Sequence, residues 1–196
     1  MEAASETLAL LAECCRLAYQ QKLVGGTGGN MSVRIGDEVY ITATGCRLGD
    51  VEPDTFSRLR LDGRLDAGTP PPSKELGLHL AVYRARPDVN AIAHLHPLNS
   101  IVVSILAPES GQPMPAYSTG YKVKIPSCGI VPNLKPGSPE LADALSQAIL
   151  KADVVLIKNH GIVAAAGDIK AAFSLVEEAE LNAALHVILK GQGALP

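Results

Sequence analysis

The sequence has 196 residues, 47% apolar and 19% charged, with a formal net charge of −3. A chain of this size can bury a sizeable core. Its scattered Lys and Arg form no basic stripe with interleaved aromatics, which argues against nucleic acid as a partner. No apolar run is long enough to span a bilayer, and an acidic N-terminus with helically spaced apolar residues is not a signal peptide. Cys14, Cys15, Cys46 and Cys128 fit neither a disulfide framework nor a CxxC zinc motif, so a cytoplasmic protein with reduced thiols is expected. Trp is absent and aromatics make up 4%. A core of small branched residues favours a layered α/β protein.

In chain order, residues 5 to 22 read as an amphipathic helix through Leu8, Leu11, Cys15, Leu17 and Ala18, with Ser5 as its cap. It stops at a stretch with Gly25, Gly26, Gly28 and Gly29. The period then switches to two: "MSVRI" and "EVYITAT" alternate and are joined by "GD", a hairpin signal. "RLRLDGRLD" reads as a third strand, a turn and the start of a fourth. After the rigid "TPPPS", the segment "SKELGLHLAVYRAR" predicts a helix capped by Ser73. "NAIAHLH" predicts a strand and "PLNSIVVSILA" a helix; "IPSC" and "GIVP" are short extended pieces. "SPELADALSQAILKA" is a helix with Pro139 in its first turn. "DVVLIKNHGIVAAAG" is a buried strand, a break at "NHG", and a second strand or its continuation. A long closing helix is capped by Asp168. Neither an internal repeat nor a linker is present, so the chain reads as one domain, residues 1 to 196, with antiparallel strands in the middle and helices before and after.

Two histidines at i and i+2 of a strand, His94 and His96, point to one side, about 6.5–7 Å apart at their Cα atoms. A Zn²⁺ about 2.0–2.1 Å from each nitrogen fits between them. An isolated pair is more often one core and one surface residue. His160, at a strand end before Gly161, makes a three-histidine set of the kind that holds zinc. His79, mid-helix, and His186, in the last helix, read as structural. The glycine stretch can form an anion nest, with hydrogen-bonding groups from Asn30 and Ser32, or a plain turn. It is neither a Walker A loop nor GxGxxG in strand-to-helix order. Ser73 and Lys74 at a helix start suit a phosphate. Glu75, expected in the first turn, complements the helix dipole or serves as a carboxylate beside a metal, as ligand or general base.

In order, "GTGGNMSVR", "ITATG", "PSKELGLHLAVYRARPDVNAIAHLHP" and "LIKNHGIVAAAGDIKAAFSLVEEAE" resemble the class II aldolase/adducin family, from about residue 5 to 190. The resemblance implies an α/β/α single-domain fold around a central, mainly antiparallel sheet. It also implies a homotetramer with active sites between neighbouring subunits. It implies one Zn²⁺ per subunit, replaceable by Mn²⁺ or Co²⁺, on His94, His96 and His160, with Glu75 as the catalytic carboxylate. A phosphate cradle from Gly29, Asn30, Thr44, Gly45 and Ser73 follows as well. The family uses a tyrosine from a neighbouring subunit as proton donor; Tyr117 and Tyr121 are the candidates, and Tyr121 fits the spacing better. Adducin-type members lack the metal histidines, which weighs against a non-catalytic interaction module, the alternative of another class.

Ser73-Lys74-Glu75, where fuculose-phosphate aldolases carry Ser-Ser-Glu, is similar to the 3-oxo-tetronate 4-phosphate decarboxylase branch, as is the short C-terminal tail. Lys74 adds positive charge beside a phosphate or carboxylate. The implied activity is cleavage of a carbon–carbon bond in a small phosphorylated sugar or sugar acid through a metal-stabilised enediolate. Decarboxylation leads, ahead of an aldolase of the fuculose or ribulose 1-phosphate type giving dihydroxyacetone phosphate and an aldehyde. A dehydratase acting on methylthioribulose 1-phosphate is a third possibility on the same frame.

Overall fold

A computed structural model describes residues 2–108 and 111–193. A seven-stranded sheet runs through it in the order β3-β2-β1-β4-β7-β6-β5. The strands are β1 (Asn30–Ile35), β2 (Glu38–Ile41), β3 (Ser57–Arg60), β4 (Ala91–Leu95), β5 (Cys128–Val131), β6 (Val154–Ile157) and β7 (Gly161–Ala166). All neighbours pair antiparallel except β5 and β6, which are parallel. The helices are α1 (Glu2–Gln20), α2 (Leu76–Ala85), α3 (Leu98–Leu106), α4 (Thr119–Lys124), α5 (Pro139–Ala148) and α6 (Ile169–Gly191). Among the described residues no helix is long and apolar enough to cross a membrane.

The period-two alternation of the strands divides the core in two. Met31, Val33, Ala91, Ala93, Leu95, Ile162 and Ala164 face one side, where residues of α1, α3, α4 and α6 pack on them. Ile92, Val155, Ile157, Val163 and Ala165 face the other, against Leu78, Val82 and Tyr83 of α2 and Leu141 and Leu145 of α5. The result is the expected α/β/α layering. His94 follows Ile92 by two and so faces the α2 side.

Several elements differ in detail from the sequence expectation. Ser5 lies inside α1, which begins at Glu2, and does not cap it. The β1–β2 turn is as read: Gly36 has φ +61, which a two-residue turn with glycine first demands. The fourth strand after "DG" does not form; an isolated bridge between Leu59 and Leu65 is all that pairs there. Ser73 does not cap α2. The N-cap is Glu75, and Ser73 Oγ accepts from the Glu75 N–H at 3.2 Å. Asp168 does cap α6, accepting from Ala171 N at 2.9 Å, and Ser138 caps α5 ahead of Pro139. The short α4 lies in a segment whose periodicity predicts no element; Ser118 caps it. α3 starts without a side-chain cap of its own. Glu180 of α6 reaches across and accepts from the backbone N–H groups of Asn99 and Ser100, which fastens the helix that follows His96 and Pro97.

Candidate metal centre and substrate cleft

Register brings the site together. His94 pairs with Asn30 on one side and Val163 on the other, so the end of β4 lies between the start of β1 and the start of β7. β6 and β7 form a hairpin whose loop is Lys158, Asn159 and His160, with Asn159 in the left-handed region at φ +60. Ser104 of α3 accepts from Asn159 N at 3.0 Å and steadies that loop. His160 is thereby held beside His94 and His96. The three ring centroids are 4.9 to 5.0 Å apart.

Glu75 completes the group. Its carboxylate and one nitrogen of each imidazole all lie within 4.8 Å of one another. His94 Nε2 is 3.2 Å from His96 Nε2 and 3.1 Å from Glu75 Oε2; His160 Nε2 is 3.5 Å from Glu75 Oε1. The tautomer of His94 follows from its second nitrogen. Nδ1 lies 3.0 Å from the Ile162 carbonyl oxygen, which can only accept, so Nδ1 carries the proton and Nε2 presents a lone pair. Lone pairs of two or three imidazoles and a carboxylate therefore converge on one buried point.

Such an arrangement is repulsive unless a cation or shared protons occupy its centre. Two ligands of one tetrahedral zinc are about 3.3 Å apart, close to the His94–His96 spacing. Among the described residues, Glu75 Oε1 and His160 Nδ1 have no hydrogen-bond partner though buried. The donor set fits a divalent metal ion.

The electrostatics agree. Burial pushes the Glu75 carboxyl up, but the adjacent His94, the hydrogen bond from Asn30 and the nearby His160 outweigh it and hold it well below the usual carboxylate range. Burial, with His94 and His160 alongside, lowers His96 to about 3; burial, with His94, also lowers His160. A neutral His96 and His160 beside an ionised carboxylate are in the state in which such groups ligate a cation.

Above the cluster opens a cavity of about 420 Å³. Gly29, Asn30, Thr44, Gly45, Ser73, Lys74, Glu75, His96 and His160 all line it, while His94 is fully buried beneath. Its wall is polar, with exposed Lys74 at the rim. The glycine stretch also gives access: a Cβ on Gly28 would come 2.9 Å from His96 Nδ1, and one on Gly29 would meet Val24 at 2.6 Å. Asn30 is more committed than its sequence context suggests. Its Nδ2 donates to Glu75 Oε2 at 2.9 Å, and its Oδ1 lies 2.6 Å from His79 Nε2.

The structure does not bring Tyr121 to the histidines. Tyr121 is 2% exposed, and burial beside Cys128 pushes its hydroxyl well above the usual tyrosine range. With Tyr117 it lines a separate cavity of about 630 Å³ that shares no lining residue with the cleft. Tyr117 is half-buried, its hydroxyl 2.7 Å from His186 Nδ1. The residue that sequence reasoning missed is His79. It looks like core, yet it contacts the residue that holds Glu75. The signal was the spacing of four along α2, from Glu75 to His79 to Tyr83, opposite the spacing of two from Asn30 to Ser32 on β1.

A layered α/β fold carrying a histidine–carboxylate cluster at the end of its central strands defines a class of metal-site enzymes, and the comparisons with known proteins say which. Residues 9–187 match the family model "Class II Aldolase and Adducin N-terminal domain". The chain is 37% identical over 174 residues to an L-fuculose phosphate aldolase of Methanocaldococcus jannaschii, covering 89% of this chain and 92% of that one. It is 34% identical over 185 residues to a 3-oxo-tetronate 4-phosphate decarboxylase of Haemophilus influenzae, covering 93% and 88%. The crystal structure of YgbL from Escherichia coli superposes with a TM-score of 0.90 at 26% identity, over 95% of this chain and 91% of that one. The chain belongs to the class II aldolase/adducin family and, like the aldolase and the decarboxylase it matches in sequence, is a carbon–carbon lyase.

Proposed function

We propose that the protein cleaves a carbon–carbon bond next to a carbonyl in a small phosphorylated sugar or sugar acid, and that its reaction is the decarboxylation of 3-oxo-tetronate 4-phosphate. The observation that carries the reading is the convergence of His94, His96, His160 and Glu75 at the floor of a polar cleft rimmed by Ser73 and Lys74. His94, His96 and His160 would hold one Zn²⁺ per subunit, with Mn²⁺ or Co²⁺ as substitutes. When bound, the ion supplies a Lewis acid for the negative charge that develops on the substrate's carbonyl oxygen.

The chain's own groups do the rest. Gly29, Thr44, Gly45 and Ser73 cradle the phosphate, with Asn30 in the floor, and hold the scissile bond over the cluster. Lys74 faces an anionic group of the substrate, which favours a sugar acid over a neutral sugar. Glu75 starts the cycle ionised, so it takes a proton from solvent water and delivers it to the carbon that the departing CO₂ leaves electron-rich. A tyrosine from a neighbouring subunit of a homotetramer acts as the second proton donor. Tyr121 is the candidate by its spacing in sequence, with Tyr117, which lines the same cavity, as the alternative. The chain works as a single domain. The four unpaired cysteines support a cytoplasmic setting.

The aldolase reading stands second, supported by the relative that is 37% identical. Metal analysis and product NMR test both. The expectation is about one zinc per chain, and dihydroxyacetone phosphate from 3-oxo-tetronate 4-phosphate with no aldehyde partner. Turnover of L-fuculose 1-phosphate to dihydroxyacetone phosphate and an aldehyde, with the keto-acid untouched, overturns decarboxylation in favour of aldol cleavage. A chain without metal and without turnover overturns both.

A further inference from the structure

A run of buried hydrogen bonds leads into Glu75 from behind, and its direction can be worked out group by group. The Glu75 carboxylate only accepts, so the Asn30 amide must donate through Nδ2 at 2.9 Å. That fixes the amide's orientation and turns Oδ1 toward His79 Nε2, 2.6 Å away. An amide oxygen also only accepts, so His79 carries its proton on Nε2. Its Nδ1 then accepts from Ser32 Oγ at 2.7 Å. Ser32 has spent its proton, so its oxygen accepts from the Tyr83 hydroxyl at 2.7 Å. Five groups are thus ordered with one polarity, Tyr83 to Ser32 to His79 to Asn30 to Glu75. None is more than 9% exposed.

This is not a route for protons to solvent. It ends at Tyr83, 1% exposed beneath the Arg34 guanidinium, whose carbon lies 5.6 Å from the ring centroid. What it does is restrict. With Asn30 pinned, the amide holds Glu75 Oε2, 3.1 Å from His94 Nε2, and Oε1 is left to the cleft. A rotated amide would set its oxygen against the carboxylate and drive Glu75 away. We propose that His79, as its Nε2–H tautomer, is a positioning residue that pins the Asn30 amide and thereby aims Glu75 at the reacting carbon. The proposal rests on the reading of Glu75 as the proton carrier given above.

Long-range ¹H–¹⁵N correlation spectra of the histidine-labelled wild-type protein, metal-free and zinc-loaded, test it directly. The expected result is a His79 protonated on Nε2 alone in both states; an Nδ1–H tautomer or an imidazolium overturns the proposal. Kinetics supply the second readout. His79→Leu should lower kcat about 10- to 100-fold, the scale seen when outer partners of a metal site are lost, with KM changed less than threefold. His79→Gln keeps a donor for Asn30 and an acceptor for Ser32, and should recover most of the loss. Equal kcat for the Leu and Gln variants overturns the positioning role. If the Leu variant does not fold, the wild-type spectrum and the Gln variant still decide. Glu75→Gln separates the two readings: unchanged kcat there removes Glu75 from the reaction and with it the role of His79, whereas the tautomer spectrum judges the hydrogen-bond order by itself.

Discussion

At the scale of single residues, His79 makes a pH prediction whose sign can be worked out. Burial lowers its pKa to about 3, against 6.5 for an exposed imidazole. Above pH 6.5 the group is neutral whether the chain is folded or not, and stability does not depend on it. Below pH 6.5 the unfolded chain takes up a proton that the folded chain refuses, so stability falls as pH falls, down to about 3. Replacing His79 by Gln removes this proton uptake, while all other titrating groups remain in both proteins. Urea unfolding of wild type and variant should show wild type losing roughly 2–3 kcal/mol more than the variant between pH 6.5 and 4.5. Parallel losses would show that His79 protonates freely in the folded protein and is not sealed by Ser32 and Asn30.

At the scale of elements, the cluster depends on how closely the β6–β7 hairpin approaches the end of β4. Gly161 is the contact point. A Cβ there would press into the Leu95 carbonyl oxygen and come 2.8 Å from His96 Cδ2. The Leu95 atom belongs to the backbone and cannot swing aside, so Gly161→Ala must push the hairpin from β4 and carry His160 with it. The expected cost is about 1–3 kcal/mol, the range for overpacking a tight site, together with weaker zinc uptake. Gly167, at the other end of β7, has nothing within 4 Å of the same added atom. Gly167→Ala should be neutral, or stabilising by about 0.4–1 kcal/mol through the unfolded chain. Chemical denaturation and equilibrium dialysis of the two variants make the comparison. If they behave alike, close strand approach is not what sets the histidines.

At the scale of the whole molecule, the strands were readable because period two leaves a mark on neighbouring residues, and the helices because their stripes, Pro139 in a first turn and the cap at Asp168 do the same. The pair His94 and His96 was legible for that reason. What brings His160 to them is the pairing of β4 with β7 and the tight β6–β7 hairpin, and long-range register leaves no local mark; the strand-end position before Gly161 made His160 a candidate, and the resemblance to a family joined it to the pair. His79 was read as core because its partners, Asn30 and Ser32, lie on a strand far off in sequence. The burial of Tyr121 was hidden in the same way, since α4 has no periodicity of its own and is placed by packing on α6.

These placements yield a prediction about the molecule as a unit. The four donors are already gathered in the fold, and the unfolded chain scatters them along the sequence, so a divalent ion should bind the folded state and stabilise it by mass action. At free zinc of 100 times the dissociation constant the gain is about 2.7 kcal/mol, or roughly 5 to 10 °C in Tm for a chain of this size. A chelator should reverse it, and His94→Ala should melt at one temperature with or without zinc. Should wild type also melt at one temperature in zinc and in chelator, the converging imidazoles are not a cation site, and the chemistry assigned to the cleft goes with it.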